Sequence, residues 1–293
     1  MKSRRENLIR LHHSPYVSRA LIRKMLQNDP HLTSPFSMSS KFFSNFFNIK
    51  ESRASAIQND INGQYIMKKL DTDLQNYHCI TIFDEAYPST LRTIPDPPLV
   101  LYAAGNVALL DRVLSLSVVG TRKPSSYAYP AMRKILLPLI DYGFTIVSGM
   151  AQGVDQYAHQ LSVESGGATI AVLGSGFHHI YPTNNIALYQ RMASEHLVLS
   201  EYPPDRSPKK FHFPERNRII SGLTRATFVI EARLKSGSLI TVDQALEQGR
   251  DVYAMPGLPG NPTSEGCHKM INDGAKLVHN HQDILEDWVE KFV

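Results

Sequence analysis

Apolar residues recur at two different periods along this chain, and the change of period divides it. Up to about Asn62 the spacing is helical. The segments Tyr16 to Gln27, Lys41 to Phe47 and Glu51 to Ile61 place apolar side chains three and four residues apart, and the Pro- and Ser-containing stretch Asp29 to Ser39 separates the first two. This pattern predicts a small all-helical N-terminal domain over residues 1–62, of the SAM or helix-hairpin-helix kind, with Phe42, Phe43, Phe46 and Phe47 in its core. The turn Asn48-Ile49-Lys50 lacks the glycines that let a helical hairpin bring its backbone against phosphate, so packing or dimer support is the favoured role of the bundle and DNA contact the alternative.

A connector rich in proline (Pro88, Pro95, Pro97, Pro98) leads into a second pattern, in which short apolar runs alternate with helical segments. The runs are Leu114–Val119, Thr145–Val147, Thr169–Leu173, Leu197–Leu199, Thr227–Ile230 and Asp251–Ala254, each followed by a Gly- or Ser-containing turn. Near-continuous apolar strands of this kind are buried on both faces, as in a parallel sheet whose crossover helices cover both sides. Residues 63–293 are therefore expected to form an α/β domain with a doubly wound, mostly parallel sheet. The stretch Gln282 to Phe292, with Ile284, Leu285, Trp288 and Val289 at core-facing spacing, reads as a closing helix.

The 293 residues are 42% hydrophobic, enough for one large and one small domain. A net charge of +4 is too mild to define a partner by itself, so a nucleic-acid site must come from clustering. Between Met1 and Lys24 the cations Lys2, Arg4, Arg5, Arg10, Arg19, Arg23 and Lys24 face only Glu6, and between Pro203 and Lys235 eight Lys and Arg face three acids. The two cysteines, Cys79 and Cys267, are far apart in sequence and make neither a disulfide framework nor a metal-ligand pair, which fits a reducing cytoplasm. No stretch approaches the ~20 apolar residues of a membrane-spanning helix, and none follows the basic N-terminus as a leader would require.

In a doubly wound sheet the ligand crevice lies at the carboxyl ends of the strands, where glycine turns and helix N-termini present free N–H groups. Three turns have that character: Gly120-Thr121-Arg122, Ser148-Gly149 and Ser236-Gly237-Ser238, with Arg122 and Lys235 as adjoining cations. The dinucleotide fingerprint is not met, because Gly174-Ser175-Gly176-Phe177-His178-His179 ends in histidine, and there is no G-x-x-x-x-G-K-[ST] loop. No cofactor is expected. The most informative stretch is Lys209-Lys210-Phe211-His212-Phe213-Pro214-Glu215-Arg216-Asn217-Arg218. Cations that contact phosphate, interleaved with rings that stack on unpaired bases, are the pattern of a single-strand binder. Composition alone equally allows Phe211 and Phe213 to be core and the arginines to be solvated or paired with Glu215.

From about Ile80 to Val278 these residues resemble the DprA/Smf family, the DNA-processing proteins of natural transformation. Gly120-Thr121-Arg122 stands for the family's G-S-R, and Ser148-Gly149-Met150-Ala151-Gln152-Gly153-Val154-Asp155 with His159 for S-G-x-A-x-G-I-D-x-x-A-H. Phe213-Pro214-Glu215-Arg216-Asn217-Arg218 matches F-P-x-R-N-R, and Glu231-Ala232 followed by Ser236-Gly237-Ser238-Leu239-Ile240-Thr241 matches E-A…S-G-S-L-I-T, with Pro256-Gly257 after the next strand. The resemblance implies an extended Rossmann-like domain that binds single-stranded DNA, works as a homodimer in the cytoplasm, and loads RecA recombinase onto strands covered by single-strand-binding protein, catalysing no reaction. Carried over residue by residue, it implies phosphate contacts from Arg122 and Lys210 beside Lys209 and Asn217, a base stacked on Phe213, and a pocket completed by the backbones of Ser148-Gly149 and Gly237-Ser238. Arg216 and Arg218 either touch DNA or brace the loop, Arg218 nearer the bracing role, and Asp155, His159 and Glu231 are expected to support. Thr121 in place of serine and His268 in place of asparagine depart from the family pattern. The winged helix that some members carry at the C-terminus is not expected, since the sequence stops at Val293.

The competing class is a Rossmann-like nucleotide hydrolase of the phosphoribohydrolase type, which needs a carboxylate placed by a P-G-G-x-G-T-type turn. Neither Lys235-Ser236-Gly237-Ser238 nor Pro256-Gly257-Leu258-Pro259-Gly260 fits that turn. Asp155 with His159, one helical turn apart, and Glu201 and Glu231 at strand ends are the carboxylate and histidine candidates such a reaction would have. Adjacent His178 and His179 have no third ligand at useful spacing, and no metal is expected.

Overall fold

The computed structural model describes residues 3–289, so Lys2 and the last part of the expected closing helix, through Phe292, lie outside the described residues. The chain opens with five helices: α1 (Arg4–His13), α2 (Arg19–Asn28), α3 (Ser40–Phe47), α4 (Glu51–Ile61) and α5 (Gln64–Asn76). Serines start three of them. Ser3 and Glu6 form a reciprocal capping box on α1, while Ser18 Oγ accepts the Leu21 N–H and Ser39 Oγ the Phe42 N–H, satisfying donors that a helix start leaves free. The cap at Ser18 also explains why Tyr16 and Val17, read as helical from spacing, are loop. Of the four phenylalanines expected in the core, only Phe43 and Phe47 are buried. Phe42 and Phe46 stack on each other at 5.7 Å on the opposite, exposed side of α3, because residues one position apart point ~100° apart around a helix.

The sheet follows. Its strands are β1 (His78–Thr81), β2 (Val100–Gly105), β3 (Ser115–Val119), β4 (Thr145–Ser148), β5 (Ala168–Leu173), β6 (Leu197–Ser200), β7 (Ala226–Val229), β8 (Asp251–Ala254) and β9 (Lys276–Leu277). Between them run a short α6 (Ser89–Arg92), α7 (Ala128–Asp141), α8 (Val154–Glu164), α9 (Ile186–Glu195), α10 (His212–Gly222), α11 (Gly237–Glu247) and α12 (Glu265–Asn272), with α13 (Gln282–Val289) after β9. The spatial order is β1-β2-β6-β5-β4-β3-β7-β8-β9, parallel from β6 to β9 and antiparallel where β2 joins β6 and β1 joins β2. β1 and β2 lie in what the sequence pattern presented as a proline connector.

Three apolar clusters hold these layers together. Leu8, Leu11, Ile57 and Leu70 of the helical part share one with Tyr102, Ala171 and Val198 of the sheet, so the N-terminal helices are seated on a sheet face. Another joins Ile219 of α10 and Val242 of α11 to Val119 and Val229, and the third sets α7, α8 and α13 against β3 and β4. Complete burial of each Val, Leu or Ile among them contributes roughly 1.5–3 kcal/mol.

The order of connection positions the site. The chain adds strands on one side of β3 as far as β6, then crosses the sheet through α10 to lay β7 on the other side of β3. This reversal opens a crevice beyond the carboxyl ends of β3 and β7, the place where open α/β sheets take ligands.

Candidate nucleic-acid interface

At that reversal lies a cavity of about 700 Å³, walled by the loop after β3, the start of α8, the segment leading into α10, and the start of α11. Arg122, Lys209, Lys210, Phe213, Arg216, Asn217, Gly237 and Ser238 all line it. Residues from three separate sequence motifs are thus brought to one crevice. Arg122, Lys209 and Lys210 are exposed, and among the described residues none of them is in an ion pair.

The rings are placed for contact with a flat partner. Phe213 is half-buried, 5.8 Å from the Tyr181 ring, and the Arg122 guanidinium lies 5.9 Å from its centre. Phe211 is exposed on the same segment, so neither phenylalanine is core. Tyr181 enters from the loop after β5 and was not singled out in the sequence. Its only signal in the sequence was an aromatic before a proline, Tyr181-Pro182, in a segment with no Lys or Arg.

Several of the expected contacts lie in the floor. Ser148 is fully buried and its hydroxyl donates to the Val118 carbonyl at 2.6 Å. The backbone N–H groups of Gly149 and Ala151 go to the Asp155 carboxylate, so this turn has fewer donors to offer an anion than its sequence suggested. Arg216 is buried with its guanidinium donating to the Gly149 carbonyl at 2.5 Å and to the Val172 carbonyl. Burial pulls it down to about 10, against the pull of Asp155, so it remains a cation at neutral pH. It supplies positive potential from below. At Gly153 the backbone has φ +88°, and a Cβ there would meet the Thr121 and Arg122 backbone, so only glycine lets α8 start against the loop after β3.

The remaining acids hold the walls. Glu231 is buried, its carboxylate accepting from the Ser125 N–H at 2.9 Å and from the Ser125 hydroxyl, while its carbonyl accepts the Thr121 N–H at 2.8 Å, which fixes the Arg122 loop. Glu201 is buried between Arg218 at 2.7 Å and Arg19 at 3.1 Å, and Arg218 also reaches Asp96 at 3.2 Å. Burial alone would raise the Glu201 carboxyl, but the two arginines hold it below its ordinary value. Arg218 is therefore a brace. His159 is fully buried and bonded through Nδ1 to Thr169 at 2.7 Å, and burial drives it down to about 3, so it is neutral. It does not pair with Asp155.

Burial raises Asp155 from 3.8 to about 6, opposed by Arg216 and the N–H groups of Ala151 and Gly149. The folded state thus binds this proton more tightly than the unfolded chain between those two values. Relative to Asp155→Asn, the unfolding free energy of the wild type is expected to fall as pH rises from about 4 to about 6, then level. Denaturant titrations of both proteins across that range would show it, and parallel curves would contradict it.

The class is set by the fold and the crevice together: a doubly wound, Rossmann-like α/β protein with a basic and aromatic cleft at its strand-order reversal and its N-terminal helices on one face. Over residues 78–289 the chain matches the family model of DNA recombination-mediator protein A, and it belongs to that family, the DprA/Smf proteins. It is 42% identical over 246 residues to DNA processing protein DprA of Bacillus subtilis, covering 82% of each chain, and 44% identical over 219 residues to that of Streptococcus pneumoniae, covering 75% of this chain and 77% of that one. The X-ray structure of Streptococcus pneumoniae DprA aligns with a TM-score of 0.83 at 35% identity over 96% of this chain and 97% of that one. A Helicobacter pylori DprA structure, described for its single-stranded DNA binding mode, aligns at 0.66 and 30% identity over 73% and 97%. No helix among the described residues is long and apolar enough to cross a membrane.

Proposed function

We propose that this chain binds single-stranded DNA in the crevice between β3 and β7, and that it acts in the cytoplasm as a homodimer that loads RecA onto DNA entering by transformation, with no reaction of its own. The observation that carries the binding reading is the meeting of three unpaired cations, Arg122, Lys209 and Lys210, with the accessible rings of Phe213 and Tyr181 in one cleft. Cations neutralise phosphates and release counterions, and rings take bases of any sequence. Lys209, Lys210 and Arg122 are the phosphate contacts in this reading, Phe213 the stacking platform, and Asn217, Gly237 and Ser238 the polar wall. Family membership and the single-strand binding of the Helicobacter pylori protein support it.

The hydrolase reading lacks comparable support. Its acid–histidine pair is not a pair, Glu201 and Glu231 are engaged in bracing, and the Asp155 carboxylate is taken up by backbone donors. A salt titration of binding to labelled single-stranded and duplex oligonucleotides separates the two ideas. Wild type is expected to bind the single strand in preference, with a steep salt dependence, and Lys210→Glu is expected to weaken that binding for every sequence and to lower the slope by about 0.7 for the lost phosphate contact. Failure of the wild type to bind either form would defeat the proposal.

A further inference from the structure

We infer that a second crevice, across the Lys209–Phe213 ridge from the first, holds the nucleotides that follow along the same DNA strand. The inference builds on the single-strand reading above. The second cavity is about 440 Å³, within the ~300–1,000 Å³ range of small-ligand sites, and lies between the helical domain and the sheet domain. One wall is the loop between α1 and α2, with Tyr16, together with Arg53 of α4. The other is Arg206, Lys209 and Phe211.

The charges in this cavity fall into two groups. Arg19 and Arg23 are committed to Asp96 and Glu201, with Glu215, the third carboxylate of the lining, 3.9 Å from Arg19 and accepting from the Tyr202 hydroxyl at 3.0 Å. Arg53 donates to the Tyr16 carbonyl at 3.0 Å, Arg206 donates to the His13 carbonyl at 3.3 Å, and the Lys209 ammonium lies 5.8 Å from the centre of the Phe211 ring. Carbonyl and ring contacts do not neutralise a cation, and among the described residues none of these three is in an ion pair, although Asp205 acts on Arg206 at longer range. Three available cations therefore stand with two open rings, Tyr16 at 46% exposure and Phe211 at 56%. That combination repeats the chemistry of the first cleft on different residues.

The ridge connects the two sites. Lys209 lines both cavities, Lys210 and Phe213 face the first, and Phe211 faces the second. A phosphodiester leaving the first cleft over this ridge would pass from Lys210 to Lys209 and then meet Arg206 and Arg53, with Phe211 and Tyr16 available to successive bases. The bridges from Arg19 to Asp96 and Glu201 hold the helical wall in place before DNA arrives. The helical domain so becomes half of a binding site.

The test compares thymidine oligomers of about 4 and about 16 nucleotides, the lower and upper sizes of a single-strand site. The double variant Tyr16→Ala with Arg53→Gln is expected to bind the short strand as wild type does, and the long strand fivefold or more weakly with a reduced salt slope. Ultraviolet cross-linking of the wild type, read by mass spectrometry, is expected to give adducts on Tyr16 or Phe211 with the long strand only, a readout that does not depend on any variant folding. Equal long-strand affinity in variant and wild type, or adducts confined to Phe213 and Tyr181, overturns the second site and leaves the first standing. Absence of wild-type binding to both strands overturns the reading on which it rests.

Discussion

Arg218→Met should cost the protein about 3 kcal/mol or more, measured as a drop in its denaturant midpoint, because it leaves the Glu201 carboxylate buried with only one of its two cations. Glu201 is 3% exposed and Arg218 is 6% exposed, so water cannot replace the lost partner. Removing both charges with Arg218→Met and Glu201→Leu together should recover part of the loss, since two apolar groups need no pairing. A double variant as weak as the sum of the singles would show that the pair is not what supports the site. The arginines hold Glu201 below its ordinary 4.5, so their stabilisation is complete above that value and is lost as pH falls through the lowered one. The gap between wild type and Arg218→Met should accordingly narrow in acid.

Phe213→Ala should weaken single-strand binding by about 1–3 kcal/mol while leaving the salt slope unchanged, because a stacked base releases no counterion. A slope that falls as far as it does for Lys210→Glu would remove the stacking role. Gly174→Ala provides a companion variant that keeps the ring. A Cβ at Gly174 would stand 2.9 Å from Phe213 Cδ1, so the ring must leave its present position beside Tyr181 and Arg122. Its binding should fall in the same direction, again without loss of slope.

The six central strands were readable to within about one residue at each end, because strands buried on both faces appear as unbroken apolar runs between glycine turns. The run Val100–Leu101–Tyr102–Ala103–Ala104 was just as apolar, yet the neighbouring prolines marked it as connector, and its antiparallel pairing with β6 is a long-range fact that no local spacing carries. β9, at two residues, leaves no periodic signal. In the site, sequence identified the three motifs that converge but not the depth of each residue. Arg122 and Arg216 look alike as letters, whereas one is exposed at the cleft wall and the other is locked under carbonyls in its floor. Tyr181 was missed because it reaches the cleft from a loop on the far side of β4.

The rims of the sheet bear on how two copies could meet. One rim is β1, four residues long and packed under α1 and α5; the other is β9, with α13 following it and Lys276 tied to Asp287 at 2.8 Å. Both rims are short, four residues at β1 and two at β9, so each offers a neighbour's strand little length on which to be templated. A sheet continued from one molecule into a second across either rim would therefore rest on only a few backbone hydrogen bonds.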